Sequence, residues 1–234
     1  MQYMRCQIAG QPITIAAIAD GAGSASFSHL AAEEVVKILL RQAASTTCSV
    51  ADISRDVVQA WFANAQLHLQ EVAALQKIEL AELDCTALLA LLAEDDMVFA
   101  QIGDGAWIAE KDGIFGAVTW PQNGEFANET IFITSPSVAD LMQFQRCRGP
   151  LTSAAGFTDG LQALALDIAT KTAHPPFFGS MLAALRDCED ETSLLSPLIT
   201  FLSSERVNQR TDDDKTLLLA QRLPAEKSHD VVAG

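Results

Sequence analysis

The chain has 234 residues, 49% of them hydrophobic and 19% charged, enough apolar content for one large core and too much for a mainly disordered chain. Thirty acidic side chains against fifteen basic ones leave a formal charge of −15, which repels nucleic-acid backbones and excludes a nucleic-acid partner. Five cysteines without a C-x-x-C pair argue for reduced thiols rather than a disulfide framework or a zinc site. Met1–Gln7 has no charged-then-apolar leader pattern, and apolar runs such as Thr86–Ala93 are too short to cross a bilayer. A cytoplasmic protein with no membrane partner is expected.

Pro12–Ala19 (PITIAAIA) is an apolar, β-branched run that stops at Asp20-Gly21-Ala22-Gly23-Ser24, predicting a buried strand that feeds a glycine-rich loop. Ser28 is placed to cap a helix over Leu30–Ala43, with Glu33 and Glu34 early and Arg41 late, as the helix dipole favours. Ile53, Val57, Val58, Trp61, Ala65, Leu69, Val72 and Leu75 recur at helical spacing over Val50–Leu80 and predict a long second helix following Ser49. The pattern then changes. Cys85–Ala93, Met97–Ile102, Ala106–Ala109 and Ile114–Val118 read as an antiparallel meander, turning at Glu94-Asp95-Asp96, Gly103-Asp104-Gly105 and Lys111-Asp112-Gly113. Trp120–Thr130 reads as loop and Thr130–Thr134 as a further strand. Leu151–Thr158 leads into Asp159-Gly160. Leu161–Ala169, Phe178–Leu185 and Thr192–Leu202 read as helices, and Thr216–Ala220 as a closing strand. This order predicts an α+β layered sandwich in one domain over residues 1–223, with a mobile tail over 224–234.

Three aspartates share a setting. Asp20 and Asp159 each end an apolar run and precede a glycine, and Asp213 sits in an acidic triplet just before the closing strand. A carboxylate at a strand end is held by a rigid scaffold while its head reaches solvent. The glycine beside it lets an ion or a phosphate approach the backbone. Carboxylates with carbonyls and waters make an oxygen-rich site that suits Mg²⁺ or Mn²⁺ better than zinc. A single Asp-Gly is an ordinary turn; the combination points to a metal centre.

The motifs sharpen this. Ile18–Ser24 (IADGAGS) resembles the metal-binding motif of the metal-dependent protein phosphatases, the type 2C or PPM family, above all its compact bacterial branch. Phe99–Trp107 (FAQIGDGAW), Gly124–Phe132 (GEFANETIF), Phe157–Leu161 (FTDGL) and Asp212–Leu219 (DDDKTLLL) are similar to four further motifs of that family, in family order. The resemblance implies a four-layer αββα sandwich of two antiparallel sheets flanked by helices. It implies two cations, Mg²⁺ or Mn²⁺, with Asp20 bridging them, the Gly21 carbonyl on the first, and Asp159 and Asp213 on the second. Asp213 is assigned by register, which leaves Asp212 and Asp214 as solvated acids. Asp104 matches an aspartate that reaches a weaker third ion; it is equally readable as a turn residue capping local N–H groups. The implied activity is hydrolysis of phosphoserine and phosphothreonine by a metal-activated water, with Asp20, Asp159 and Asp213 catalytic through the metals they hold. The implied partner is a phosphoprotein substrate, a serine/threonine kinase or its target.

Some positions depart from the family. Its members begin with a strand carrying a phosphate-binding Arg and then an acidic motif, whereas here only 19 residues precede Asp20 and the N-terminal strand region reads as shortened. Cys6-Gln7 matches the start of the branch's C-Q-D, but Ile8 stands at the Asp. Arg5 is off the family's Arg position and is expected to be an exposed arginine. Ala163 replaces the partner acid of the third ion. His29, His68, His174 and His229 show no partner pattern. Two functions are therefore carried: a phosphoprotein phosphatase, favoured by the intact aspartate set, and a catalytically impaired phosphatase-like module that docks a kinase or signalling partner, favoured by the N-terminus. Trp120–Gly149 is expected to form a flap beside the site.

Overall fold

The computed structural model describes residues 1–122 and 130–222. The 224–234 tail and most of the Gly124–Phe132 motif lie outside the described residues. The chain opens with a hairpin of β1 (Gln2–Ile8) and β2 (Gln11–Ile18), turned through Ala9 and Gly10, both at positive φ. Two helices follow, α1 (Ser28–Ala44) and α2 (Arg55–Gln76). Next comes the meander: β3 (Ala87–Leu92), β4 (Asp96–Ile102), β5 (Ala106–Lys111) and β6 (Ile114–Ala117). The short α3 (Val138–Leu141) leads into β7 (Gln143–Arg148), and β8 (Ser153–Phe157) runs to Asp159. Then come α4 (Gln162–Ala165), the two-residue strands β9 (Leu166–Asp167) and β10 (Thr172–Ala173), α5 (Pro175–Asp187), α6 (Leu195–Leu202), α7 (Glu205–Asn208) and β11 (Leu217–Gln221).

The strands form two main antiparallel sheets, ordered β1-β2-β3-β4-β7 and β11-β8-β5-β6. Strand alternation builds three cores from them. Ile13, Ile15 and Ala17 of β2, with Leu89 and Leu91 of β3, face α1 and α2, where Val35, Leu39, Phe62 and Leu69 meet them. The intervening residues Ala16, Ile18, Leu88 and Ala90 face the second sheet and meet Trp107, Ala154 and Leu218. The outer face of that sheet, through Ile108, Phe157 and Leu217, packs on Phe178 and Leu182 of α5. The expected αββα sandwich is observed. Among the described residues no helix is long and apolar enough to cross a membrane.

The structure corrects several expectations. Ser28 is not the cap of α1: Phe27 holds that position, and the Ser28 hydroxyl instead donates to the carbonyls of Ala22 and Ala25. Helix α2 does not follow Ser49 directly: a separate 3₁₀ turn at Val50–Asp52 comes first, and α2 starts at Arg55, capped by Ser54, whose hydroxyl accepts from the Val57 N–H. Thr130–Thr134 is not a strand; Ile133 N–H donates to the Cys85 carbonyl, and Thr134 bonds Asp84. The helix expected over Leu161–Ala169 stops at Ala165. There Asp167 accepts from the Thr170 N–H and turns the chain into the β9–β10 hairpin. The Trp120–Gly149 stretch is not a free flap where it is described. Arg55, Gln59 and Gln66 of α2 donate to the carbonyls of Met142, Ala139 and Ser135, and β7 joins the first sheet.

Candidate metal centre

The strand ends bring the aspartates together. Asp20 follows β2, and its backbone is tied to the start of β3: Asp20 N–H donates to Thr86 Oγ1 at 3.0 Å, and Thr86 N–H donates to the Asp20 carbonyl at 2.8 Å. Ala22 N–H donates to the Asp84 carbonyl at 2.9 Å. These ladder bonds flank the Gly21–Cys85 bridge and leave the Gly21 carbonyl unused by the ladder. A Cβ on Gly21 would lie 2.7 Å from Ser28 Oγ and 2.8 Å from the Ser28 backbone carbon. Only glycine lets the start of α1 close over the loop.

Asp104 lies in the turn between β4 and β5, where Thr130 Oγ1 donates to its Oδ2 at 2.6 Å. Asp159 lies two residues after β8, at the start of a 3₁₀ turn over Asp159–Leu161, and its Oδ1 accepts from the Gly160 N–H at 2.8 Å. Asp213 precedes β11, and its Oδ1 accepts from the Asp214 N–H at 2.8 Å. The last two loops are sealed to each other. Thr216 N–H donates to Thr158 Oγ1, Thr158 N–H donates to the Thr216 carbonyl, and a Cβ on Gly160 would sit 2.1 Å from the Asp214 carbonyl oxygen.

All four aspartates line one open cleft of about 170 Å³, together with Gly21 and Thr86. Asp213 is the member of its triplet that lines the cleft; Asp212 and Asp214 do not, although all three are exposed. Burial, then the charge of Asp213, pushes the Asp20 carboxyl up to about 6. Burial, then the charges of Asp104, Asp213 and Asp20, pushes Asp159 up to about 7. Burial also raises Asp104, against the Thr130 bond that lowers it. No Lys or Arg stands among the described lining residues to offset these charges.

A hard divalent cation fits this donor set: oxygen ligands only, several carboxylates from different loops, a free carbonyl, and no Lys or Arg among the described lining residues. The carboxylates line the walls rather than converge. Among the described residues no three His, Cys, Asp or Glu side chains are already gathered around one ion position.

Arg5 is not in the cleft; it is exposed and paired with Glu191 at 2.6 Å. None of the described histidines lines the cleft. His68 has a partner that its sequence setting did not reveal, Glu34 at 3.6 Å on the outer helical layer. Thr86 and Thr130 are lining residues that sequence reasoning missed. Thr130 falls within the Gly124–Phe132 motif without having been given a role, whereas no local motif marks Thr86, which reaches the cleft through pairing of segments far apart in the chain.

The sequence profile of the family described as Protein phosphatase 2C matches residues 3–202. The chain is 32% identical over 221 residues to Serine/threonine-protein phosphatase 3 of Escherichia coli K12, spanning 90% of this chain and 84% of that one. Among solved structures, serine/threonine phosphatase Stp1 from Staphylococcus aureus superposes with a TM-score of 0.66 at 14% identity, over 95% of this chain and 89% of that one. The S. agalactiae serine/threonine phosphatase gives 0.64 at 16% identity, over 94% and 92%. At such identities these structures establish the shared fold, while the profile and the E. coli relative establish the lineage. The chain belongs to the protein phosphatase 2C family of metal-dependent serine/threonine phosphatases.

Proposed function

We propose that the chain hydrolyses phosphoserine and phosphothreonine in protein substrates at the aspartate-lined cleft, with two divalent cations, Mg²⁺ or Mn²⁺. One observation carries the reading: strand-end aspartates from both sheets line one open cleft without a basic side chain among its described walls. Asp20 would hold both cations. The Gly21 carbonyl would complete the first site, Asp159 and Asp213 the second, and Asp104 would serve a weaker third. When bound, the cations would supply a water of lowered pKa and neutralise charge on the phosphoryl oxygens.

The chain's own residues do the positioning. Thr86 fixes the Asp20 backbone from the neighbouring strand. Gly160 holds the Asp159 carboxylate through its N–H, and the Asp214 N–H does the same for Asp213. Thr130 aims the Asp104 carboxylate. The cleft is open, which suits a phosphorylated side chain presented on a protein surface. The impaired-module reading has no observation in its favour. A phosphoprotein, a serine/threonine kinase or its target, fits as partner, and five free cysteines support a cytoplasmic location.

The test is phosphate release from p-nitrophenyl phosphate and from a phosphothreonine peptide, with Mn²⁺, with EDTA and with Asp159→Asn. Release that needs the metal and falls steeply in the variant is expected. Release that survives EDTA, or that Asp159→Asn leaves unchanged, would reject the proposal.

A further inference from the structure

Three glutamines grip the Gly103-Asp104-Gly105 turn. Gln101, fully buried, donates from Nε2 to the carbonyls of Gly103 at 2.9 Å and Gly105 at 2.7 Å. Its Oε1 accepts from the Thr119 hydroxyl at 2.6 Å, so neither end of the amide is wasted. Gln122 accepts from the Gly103 N–H through Oε1 at 3.0 Å and anchors its own Nε2 on the Leu141 carbonyl at 2.7 Å. Gln162 donates from Nε2 to the Asp104 carbonyl at 2.6 Å. The carbonyls of all three turn residues therefore accept hydrogen bonds, and the backbone that carries the Asp104 carboxylate is fixed.

Gln162 differs from the other two in where it comes from. It lies three residues beyond Asp159, at the start of α4, so its bond crosses from the Asp159 turn to the Asp104 turn. The crossing is close-packed as well: a Cβ on Gly105 would meet the Phe157 carbonyl oxygen at 2.5 Å, two residues before Asp159.

We propose that Gln162 is a positioning residue, whose amide clasps the Asp104 turn to the Asp159 turn and sets the distance between the two carboxylates, so that the cation affinity of the cleft depends on it. The inference rests on the metal-site reading above. The geometry gives the reason. Two like charges repel, and a side-chain tie from the Asp159 turn to the Asp104 turn resists that repulsion. A tie between the two turns holds both carboxylates in place for the cations they would serve, before those arrive.

The test is calorimetric titration of Mn²⁺ into the metal-free full chain, with phosphate release at saturating Mn²⁺ read in parallel. Gln162→Met keeps side-chain length and removes the donor; Gln162→Ala is a second, smaller truncation. Loss of one such hydrogen bond should weaken Mn²⁺ binding by roughly 3–10-fold. If Gln162 acts through Asp104, adding Gln162→Met to Asp104→Asn should produce no comparable further loss. Wild-type affinity in both Gln162 variants would overturn the inference, as would a full extra loss in the Asp104→Asn background. The underlying reading fails in a different way: the wild type would take up no Mn²⁺, or Asp159→Asn would bind it as the wild type does.

Discussion

Asp20 and Asp159 follow strands of opposite sheets, β2 and β8, and line the same cleft, where the charge of Asp20 helps to raise the Asp159 carboxyl. The sign of the resulting pH effect is fixed. Both groups titrate near pH 4 when unfolded, yet the fold raises them to about 6 and about 7. Above pH 4 the unfolded chain gives up protons that the folded chain retains, so these groups make stability fall as pH rises, until about pH 7. The metal-free protein should therefore melt at a lower temperature at pH 7.5 than at pH 5.5. Saturating Mn²⁺ should remove most of that difference. Differential scanning calorimetry in EDTA and in Mn²⁺ checks both halves.

Replacing Asp159 by Asn should separate stability from activity. The amide removes a charge that Asp20, Asp104 and Asp213 oppose. At pH 7.5 the metal-free variant should melt at or above the wild-type temperature. The same change should lower kcat/KM by at least about 100-fold, equivalent to about 2.7 kcal/mol of transition-state stabilisation. Melting curves and steady-state kinetics on one preparation decide this. A variant that is both less stable and fully active would contradict the electrostatic account.

The legible parts of the fold are those buried on both faces. β2 is apolar because its alternate residues enter different cores, and the run breaks at Asp20 where the cleft begins. β1 (QYMRCQI) and β7 (QFQRCR) were not legible. Each is the edge of the first sheet, pairs on one side only, and has few fully buried residues to show a period. β7 is fastened by Arg146, whose guanidinium donates to the carbonyls of Ala51 and Ile53, a tertiary contact with no local signature. The aspartates were readable because each stands beside a glycine or a strand start. Thr86, Gln101 and Gln162 were not, because their partners sit in segments that meet only after the sheets form.

Two buried glycines should fail in different ways. A Cβ on Gly156 would lie 2.4 Å from the Trp107 ring, in the core between the sheets. Gly156→Ala should cost about 1–3 kcal/mol by overpacking and lower Tm by roughly 3–10 °C, with Mn²⁺ affinity largely kept. A Cβ on Gly160 would strike the Asp214 carbonyl, beside the cleft-lining Asp213. Gly160→Ala should push the Asp213 loop away and weaken Mn²⁺ binding by more than about 10-fold, which is over 1.4 kcal/mol. Equal Mn²⁺ affinities in the two variants, measured by calorimetry, would show that the Asp213 loop does not contribute to the site.

Arg5 gives the sharpest check on what the cleft uses. Its guanidinium pairs with Glu191 at 2.6 Å on the surface, Tyr3 donates to the same carboxylate, and neither residue lines the cleft. An exposed ion pair contributes about 0–1 kcal/mol, and less at high salt. Arg5→Ala should therefore lower Tm by no more than about 3 °C. It should leave kcat and the KM for p-nitrophenyl phosphate within about twofold of wild type, a shift of roughly 0.4 kcal/mol. A phosphate-binding arginine would behave otherwise, since losing a charge-assisted contact to the transferred phosphoryl group raises KM or lowers kcat by one or more orders of magnitude. Kinetics of Arg5→Ala at low and high salt distinguish the two. A large kinetic defect with an unchanged melting temperature would mean that Arg5 leaves Glu191 and enters the cleft when substrate binds.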